Sequence, residues 1–222
     1  MIEEVVPGYV AGHEAYGDSE GITLHPGEEA VARGFAASRR AAFTTGRYCA
    51  RRALADLGET PGAILRTPGG APHWPASVVG SITHCDGYRA AAVASRERAA
   101  AVGIDAEPNR EVPEDVLEFI STPQERRLVG ELLAGGGEVR WDRLLFCVKE
   151  SVYKVWHPLT GLFLGFREAE VGFAADTAEF DVRLRPRGGR HQRLPETLCG
   201  RWTSRDGLLL TAITLSVTEG ES

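Results

Sequence analysis

The 222-residue sequence predicts a mixed α/β fold of the α+β kind, and three observations carry the prediction. Trp141, Leu144, Leu145, Val148, Val152 and Val155 recur at helical spacing, an apolar stripe with Arg143, Phe146, Glu150 and Lys154 on the opposite face. Beyond that helix come four apolar runs of strand length, Ala169 to Phe173, Phe180 to Leu184, Leu198 to Thr203 and Leu208 to Leu215. Ahead of it, a second helical pattern from Arg39 to Leu57 precedes two small-residue runs, Tyr88 to Ala94 and Ala99 to Ile104.

Taken in order, the residues up to Phe35 have no clean period and include Pro7, Gly8, Pro26 and Gly27, which predicts irregular structure with one strand near Val5. Phe43, Ala50, Ala53, Leu54 and Leu57 then mark a helix with Arg40, Arg47 and Arg51 on its polar side, stopped by Gly58. After the Thr67 to Pro72 loop, the Tyr88 and Ala99 runs read as a hairpin joined by Ser95-Arg-Glu-Arg98. Pro113 with Glu114 and Asp115, and Thr122-Pro123-Gln124-Glu125, are helix starts, and Gly135 to Gly137 ends the second of these helices. The long helix from Trp141 is expected to close at His157-Pro158. A Ser204-Arg-Asp-Gly207 turn joins the last two strands, and the tail after Val217 is expected to fray.

A net charge of −6 argues against a nucleic-acid partner, which requires cationic surface along the strand. The densest basic run, Arg183, Arg185, Arg187, Arg190 and Arg193, reads as a solvated face. No apolar run approaches the ~20 residues of a membrane span, and the N-terminus, with Glu3, Glu4 and Pro7, lacks the pattern of a signal peptide. Cys49, Cys85, Cys147 and Cys199 are scattered without a CxxC pair, as expected of reduced thiols in a cytoplasmic protein.

Only two of the 25 basic residues are lysine, and both, Lys149 and Lys154, flank Glu150 in one segment. A compact ammonium is thus retained where arginine serves everywhere else. Upstream, Asp105 and Glu107 follow the Ala99 to Ile104 run, and residues two apart in a strand share a face. Paired carboxylates at a strand end exposed to a cleft, with Glu150 as a third, suit magnesium, which fills its other positions with water and phosphate oxygens. Glu150 and Lys154 are also spaced for an i, i+4 salt bridge, and Phe146 on the same stripe argues against a merely solvated face. Ser81-Ile-Thr-His-Cys-Asp86 is too local for a catalytic triad, whereas His84 after a Gly-Ser-Ile-Thr turn with free amides suits a phosphate. Lys149, off the Glu150 to Lys154 line, fits a functional or a structural role equally well. The chemistry indicated is phosphoryl-group transfer. A magnesium-dependent phosphodiesterase or nuclease and a non-catalytic module that binds coenzyme A or a carrier are the rival readings.

Four motifs in order resemble the surfactin-type 4′-phosphopantetheinyl transferases, in the branch of the enterobactin-synthase component D and the actinobacterial activators. These are Phe43-Thr-Thr-Gly-Arg47 with Ala50-Arg-Arg-Ala-Leu54, Trp74-Pro75 with Val79-Gly-Ser-Ile-Thr-His84, Val102-Gly-Ile-Asp-Ala-Glu-Pro108, and Phe146-Cys-Val-Lys-Glu-Ser-Val-Tyr-Lys154. The resemblance implies two similar subdomains about a pseudo-twofold axis, residues 1–104 and 105–222, with the ligand between them. It also implies a monomeric holo-acyl-carrier-protein synthase that moves the arm of coenzyme A to a serine of apo acyl or peptidyl carrier proteins and releases 3′,5′-ADP, with no membrane partner. Asp105, Glu107 and Glu150 would hold Mg2+, Glu150 would be the general base, and Lys154 would neutralise the pyrophosphate. Thr83, His84 and Arg47 match positions that bind the donor, and Arg39 and Arg66 match basic positions near its 3′-phosphate, with Arg40 a rival to Arg39.

Overall fold

Local signals set most helix ends. In the computed structural model, which describes residues 1–217 except 175, 190 and 193, helix α2 (Pro26–Ala32) follows α1 (Ile2–Val5) and strand β1 (Ala11–Tyr16). Pro26 opens α2 and Pro123 opens α5 (Pro123–Ala134), in the first-turn position where a missing N–H costs nothing. Thr122 and Glu125 cap α5 reciprocally, each side chain accepting the other's backbone N–H. Helix α3 spans Ala37–Asp56, α4 Glu114–Ile120 and α6 Trp141–Thr160. The strands are β2 (Val78–Cys85), β3 (Tyr88–Ser95), β4 (Ala99–Pro108), β5 (Ala169–Ala174), β6 (Glu179–Leu184), β7 (Thr197–Arg205) and β8 (Leu208–Ser216).

Three expectations are corrected. A helix, not a strand, covers Val5, and β1 lies further on. Helix α6 continues through Pro158 to Thr160 and stops where Gly161 adopts φ 69°. The runs from Tyr88 and Ala99 do not form a hairpin: β3 is flanked by β1 and β2 in one sheet, whereas β4 pairs with β8 in the other. Both sides of β3 are already occupied, so the link at residues 96–98 crosses between sheets. The hairpin of this region is β2–β3, turned at Gly87 with φ 77°.

The antiparallel sheets have the orders β1-β3-β2 and β4-β8-β7-β6-β5. After the short α1, each half runs from a strand through a 20-residue helix, α3 or α6, to a last strand that returns beside the first. The α+β prediction is met, and the repeated order makes two similar halves. All of β4 belongs to the second sheet, so the change of sheet falls at residues 96–98. The sheets meet where β2 runs beside β4. Ser81 Oγ accepts the Ile104 N–H at 3.2 Å and Thr83 Oγ1 the Ala106 N–H at 3.0 Å, so side-chain hydroxyls satisfy a strand edge that would otherwise be buried unpaired.

The apolar stripe of α6 packs on the five-stranded sheet, and the small residues of β3 and β4 share a core with Leu208, Leu210 and Ala212. On the opposite face of β4, Gly103 lets α6 come close. A Cβ on Gly103 would lie 2.3 Å from the Ser151 carbonyl oxygen and 2.8 Å from Val155 Cγ2. Gly103→Ala is therefore expected to lower stability by about 1–3 kcal/mol in urea unfolding, because neither backbone can yield without moving helix from strand. An unchanged midpoint would contradict this packing.

Candidate active site

Residues 103, 105 and 107 share the face of β4 that α6 crosses, so the approach at Gly103 sets Glu150 and Lys154 over Asp105. Lys154 Nζ donates to Asp105 Oδ1 at 2.8 Å and to the Ile104 carbonyl at 2.9 Å. Thr83 Oγ1 donates to the same Asp105 oxygen at 3.1 Å. Asp105 Oδ2 is buried and has no hydrogen-bond partner among the described residues. Asp105 is only 5% exposed, so it lies beneath the cleft and not at an open strand end. The i, i+4 salt bridge is likewise replaced: among the described residues Lys154 pairs with Asp105 across the two elements, not with Glu150.

Glu107 and Glu150 stand near that carboxylate. Burial first, and then the charge of Asp105, push Glu107 up to about 7, although Arg143 Nη1 lies 3.2 Å from its carboxylate. The same two causes raise Glu150, with Lys154 opposing. Two carboxyls that resist ionisation beside the Asp105 carboxylate, which carries one bare buried oxygen, have the chemistry of a hard-cation site. Among the described residues, however, no group of three such side chains is closed tightly enough to enclose an ion. Arg143 holds Glu107 from the polar face of α6, a partnership that its placement on the Glu150 stripe hinted at but could not specify.

Thr83 is buried, its hydroxyl spent between Asp105 and the Ala106 N–H, so it orients Asp105 instead of facing the cleft. Gly80 to Thr83 form part of β2, paired with β3, and not a turn with free amides. His84 at the end of that strand is exposed. Crowding by the protein, then the positive charges of Lys154 and Arg89 and, more weakly, Arg39, hold its imidazole below the usual range. It thus lies within reach of three cationic side chains, Lys154, Arg89 and Arg39. Lys149 has a structural role. Its buried ammonium reaches Glu125 at 2.8 Å and the Phe166 and Ala169 carbonyls at 2.8 and 2.9 Å, tying α6 to α5 and to the start of β5.

A second cationic group lies in the first half. Arg47 is buried, not on an open polar face: its guanidinium stacks 4.2 Å from the Phe43 ring centroid, and Nε donates to the Ile64 carbonyl at 2.9 Å. Burial, more than the repulsion of Arg66 and Arg51, pulls Arg47 down to about 10, with Glu28 acting against it. Arg66 lies 5.7 Å from the Phe43 centroid and 5.8 Å from that of Phe35, and Arg39 covers Phe35 at 4.5 Å. Phe35 and Phe43 meet edge to face and form the platform, of which Phe35 was not singled out from sequence. Among the described residues none of these three arginines has a carboxylate within ion-pair distance, whereas Arg40 pairs with Glu29 and Arg51 with Glu28. Arg40 is thereby neutralised and Arg39 is not. Of the basic run in the second half, Arg185 and Arg187 pair with Glu170 and Glu168, and Arg190 and Arg193 lie outside the described residues, as does the tail from 218.

Beside Glu150, between α6 and the segment that leads into β5, lies a cavity of about 260 Å3, lined by Glu150, Tyr153, Phe163, Leu164 and Phe166 among others. Residues 27–94 match the family model for the 4′-phosphopantetheinyl transferase N-terminal domain, and residues 101–206 match that of the 4′-phosphopantetheinyl transferase superfamily. The chain belongs to this superfamily. Its relatives include the 4′-phosphopantetheinyl transferases Svp of Streptomyces mobaraensis, 44% identical over 99% of this chain and 91% of that protein, and Npt of Nocardia iowensis, 45% identical over 96% and 99%. PptT of Mycobacterium tuberculosis H37Rv is 42% identical over 97% of this chain and 98% of its own length. The two matches divide at residues 95–100, close to where the sheets change.

Proposed function

We propose that the cleft transfers the 4′-phosphopantetheine arm of coenzyme A to a serine hydroxyl of an apo acyl or peptidyl carrier protein, releasing 3′,5′-ADP. The observation that carries this reading is Asp105, one oxygen held by Lys154 and Thr83 and the other bare beside Glu107 and Glu150. Those carboxylates fit Mg2+, and Asp105, Glu107 and Glu150 would hold it; when bound, the ion neutralises charge on the pyrophosphate. Glu150 takes the proton as the serine oxygen forms its bond to the phosphorus that bears the arm, and the phosphoanhydride bond to 3′,5′-ADP breaks. Lys154 and His84 offer positive charge and a donor to the phosphates, and the apolar cavity beside Glu150 accepts the arm. A loose phosphoryl-transfer transition state needs such positioning and charge more than a protein nucleophile. In the same reading the enzyme is a cytoplasmic monomer without nucleic-acid or membrane partners; the −6 net charge disfavours nucleic acid, and the free cysteines suit a reducing compartment.

Incubation with coenzyme A, magnesium and apo carrier is expected to add the mass of the arm to the carrier over many turnovers. Cleavage of coenzyme A without carrier modification would favour a phosphodiesterase, and binding without turnover a non-catalytic module. Arg39, Arg47 and Arg66 lie in the other half from the carboxylates and serve the 3′-phosphate in this reading. Dephospho-coenzyme A is accordingly expected to lose about 1.5–3 kcal/mol of binding, tenfold or more in affinity. Calorimetry with both ligands checks this, and equal dissociation constants would sink the assignment.

A further inference from the structure

The arginine cluster has a feature that anion binding alone does not explain: a fully buried carboxylate lies behind it. Glu28, in the first turn of α2, is 0% exposed. Its oxygens accept from Arg51 Nη1 at 2.8 and 3.1 Å, from the Ile64 N–H at 2.9 Å and from the His25 N–H at 2.9 Å. One side chain therefore joins α2, α3 and the segment that leads into Arg66. Ile64 is held at both ends, since its carbonyl accepts from Arg47 Nε at 2.9 Å. A buried carboxylate is retained only where charge and hydrogen bonds offset its desolvation, and here two of its partners, Arg51 and Ile64, act directly on Arg47.

We propose that Glu28 is the positioning residue of the 3′-phosphate site: through the Ile64 backbone it fixes Arg47 and Arg66 in the geometry that grips the anion. This rests on the assignment of that phosphate to Arg39, Arg47 and Arg66. Two consequences of the network support it. The carboxylate forms its ion pair with Arg51, not with Arg47, so among the described residues the Nη groups of Arg47 have no protein hydrogen-bond partner and remain available to a ligand. Its negative charge nonetheless acts on Arg47, offsetting the crowding of like charges that would otherwise drive the guanidiniums apart. Arg66 starts two residues beyond the clamped Ile64, and its short loop is closed by the Arg66–Pro72 bridge, so a shift at Ile64 moves Arg66 directly.

The test is calorimetry of the full chain and of Glu28→Gln with coenzyme A and dephospho-coenzyme A. The amide keeps the shape but brings a donor toward donors and removes the charge. Coenzyme A is expected to weaken about tenfold or more and dephospho-coenzyme A much less, so that discrimination between them collapses while the single-turnover rate at saturating coenzyme A falls far less than affinity. Equal weakening of both ligands, or undiminished discrimination, would show Glu28 to serve stability alone and would overturn the proposal while leaving the arginine assignment standing. If the unaltered protein itself fails to discriminate, the arginine assignment falls and the proposal with it. Should Glu28→Gln not fold, amide hydrogen exchange in the unaltered protein decides: saturating coenzyme A is expected to slow the Ile64 N–H about tenfold more than saturating dephospho-coenzyme A does. Equal protection by the two ligands would refute the clamp.

Discussion

Asp105→Asn is expected to reduce carrier modification at least about a hundredfold while the protein stays folded, because it removes charge from the centre of the site without removing volume. Asparagine can still accept from Thr83 and Lys154 on one side, but its amide replaces the bare oxygen beside Glu107 and Glu150. Asp105→Ala is a different experiment. It leaves the Lys154 ammonium, about a quarter exposed, facing only the Ile104 carbonyl, and so is expected to lower the unfolding midpoint as well as activity. The sequence alone suggests that alanine here would spare the fold; burial of Asp105 reverses that expectation. Single-turnover rates paired with thermal unfolding separate the two effects, and near-normal transfer by the asparagine variant would remove Asp105 from the mechanism.

Glu150→Gln is expected to lower the rate by a factor of about 10²–10⁴, the usual loss when a general base is removed. Glutamine is nearly isosteric and Glu150 is only partly buried, so the unfolding midpoint should hardly move. Lys154→Arg supplies the companion result. The ammonium touches two oxygens, at 2.8 and 2.9 Å, in the narrow gap between α6 and β4, and a planar guanidinium is too broad for both contacts. A clear loss of turnover is expected despite the retained charge. Wild-type single-turnover rates in both variants would mean that this face of α6 is structural.

Much of this was legible in the chain. The α5 start is a local event, written by Thr122-Pro123 and Glu125, and the stripe of α6 follows from the period of its apolar residues, whereas Pro26, read as a breaker, in fact opens α2. The i, i+2 spacing of Asp105 and Glu107 depends only on strand pleating, and the α6 crossing at Gly103 puts that shared face beneath Glu150 and Lys154.

What the tertiary structure alone decided is which charges meet. Lys149 and Lys154 differ by five residues, about 140° around a helix, so one turns into the core toward Glu125 and the other toward Asp105. No pattern in the chain names those partners, because each pair joins segments far apart in sequence. The same holds for Arg39 and Arg40: adjacent and chemically identical, they part only because Glu29 on a separate helix neutralises one and Phe35 underlies the other. The pairing of β4 with β8 in place of β3 was also beyond local inference, since small apolar strands carry no signal for their neighbour, and the choice falls to the sheet edges left open once β1 and β2 have taken β3.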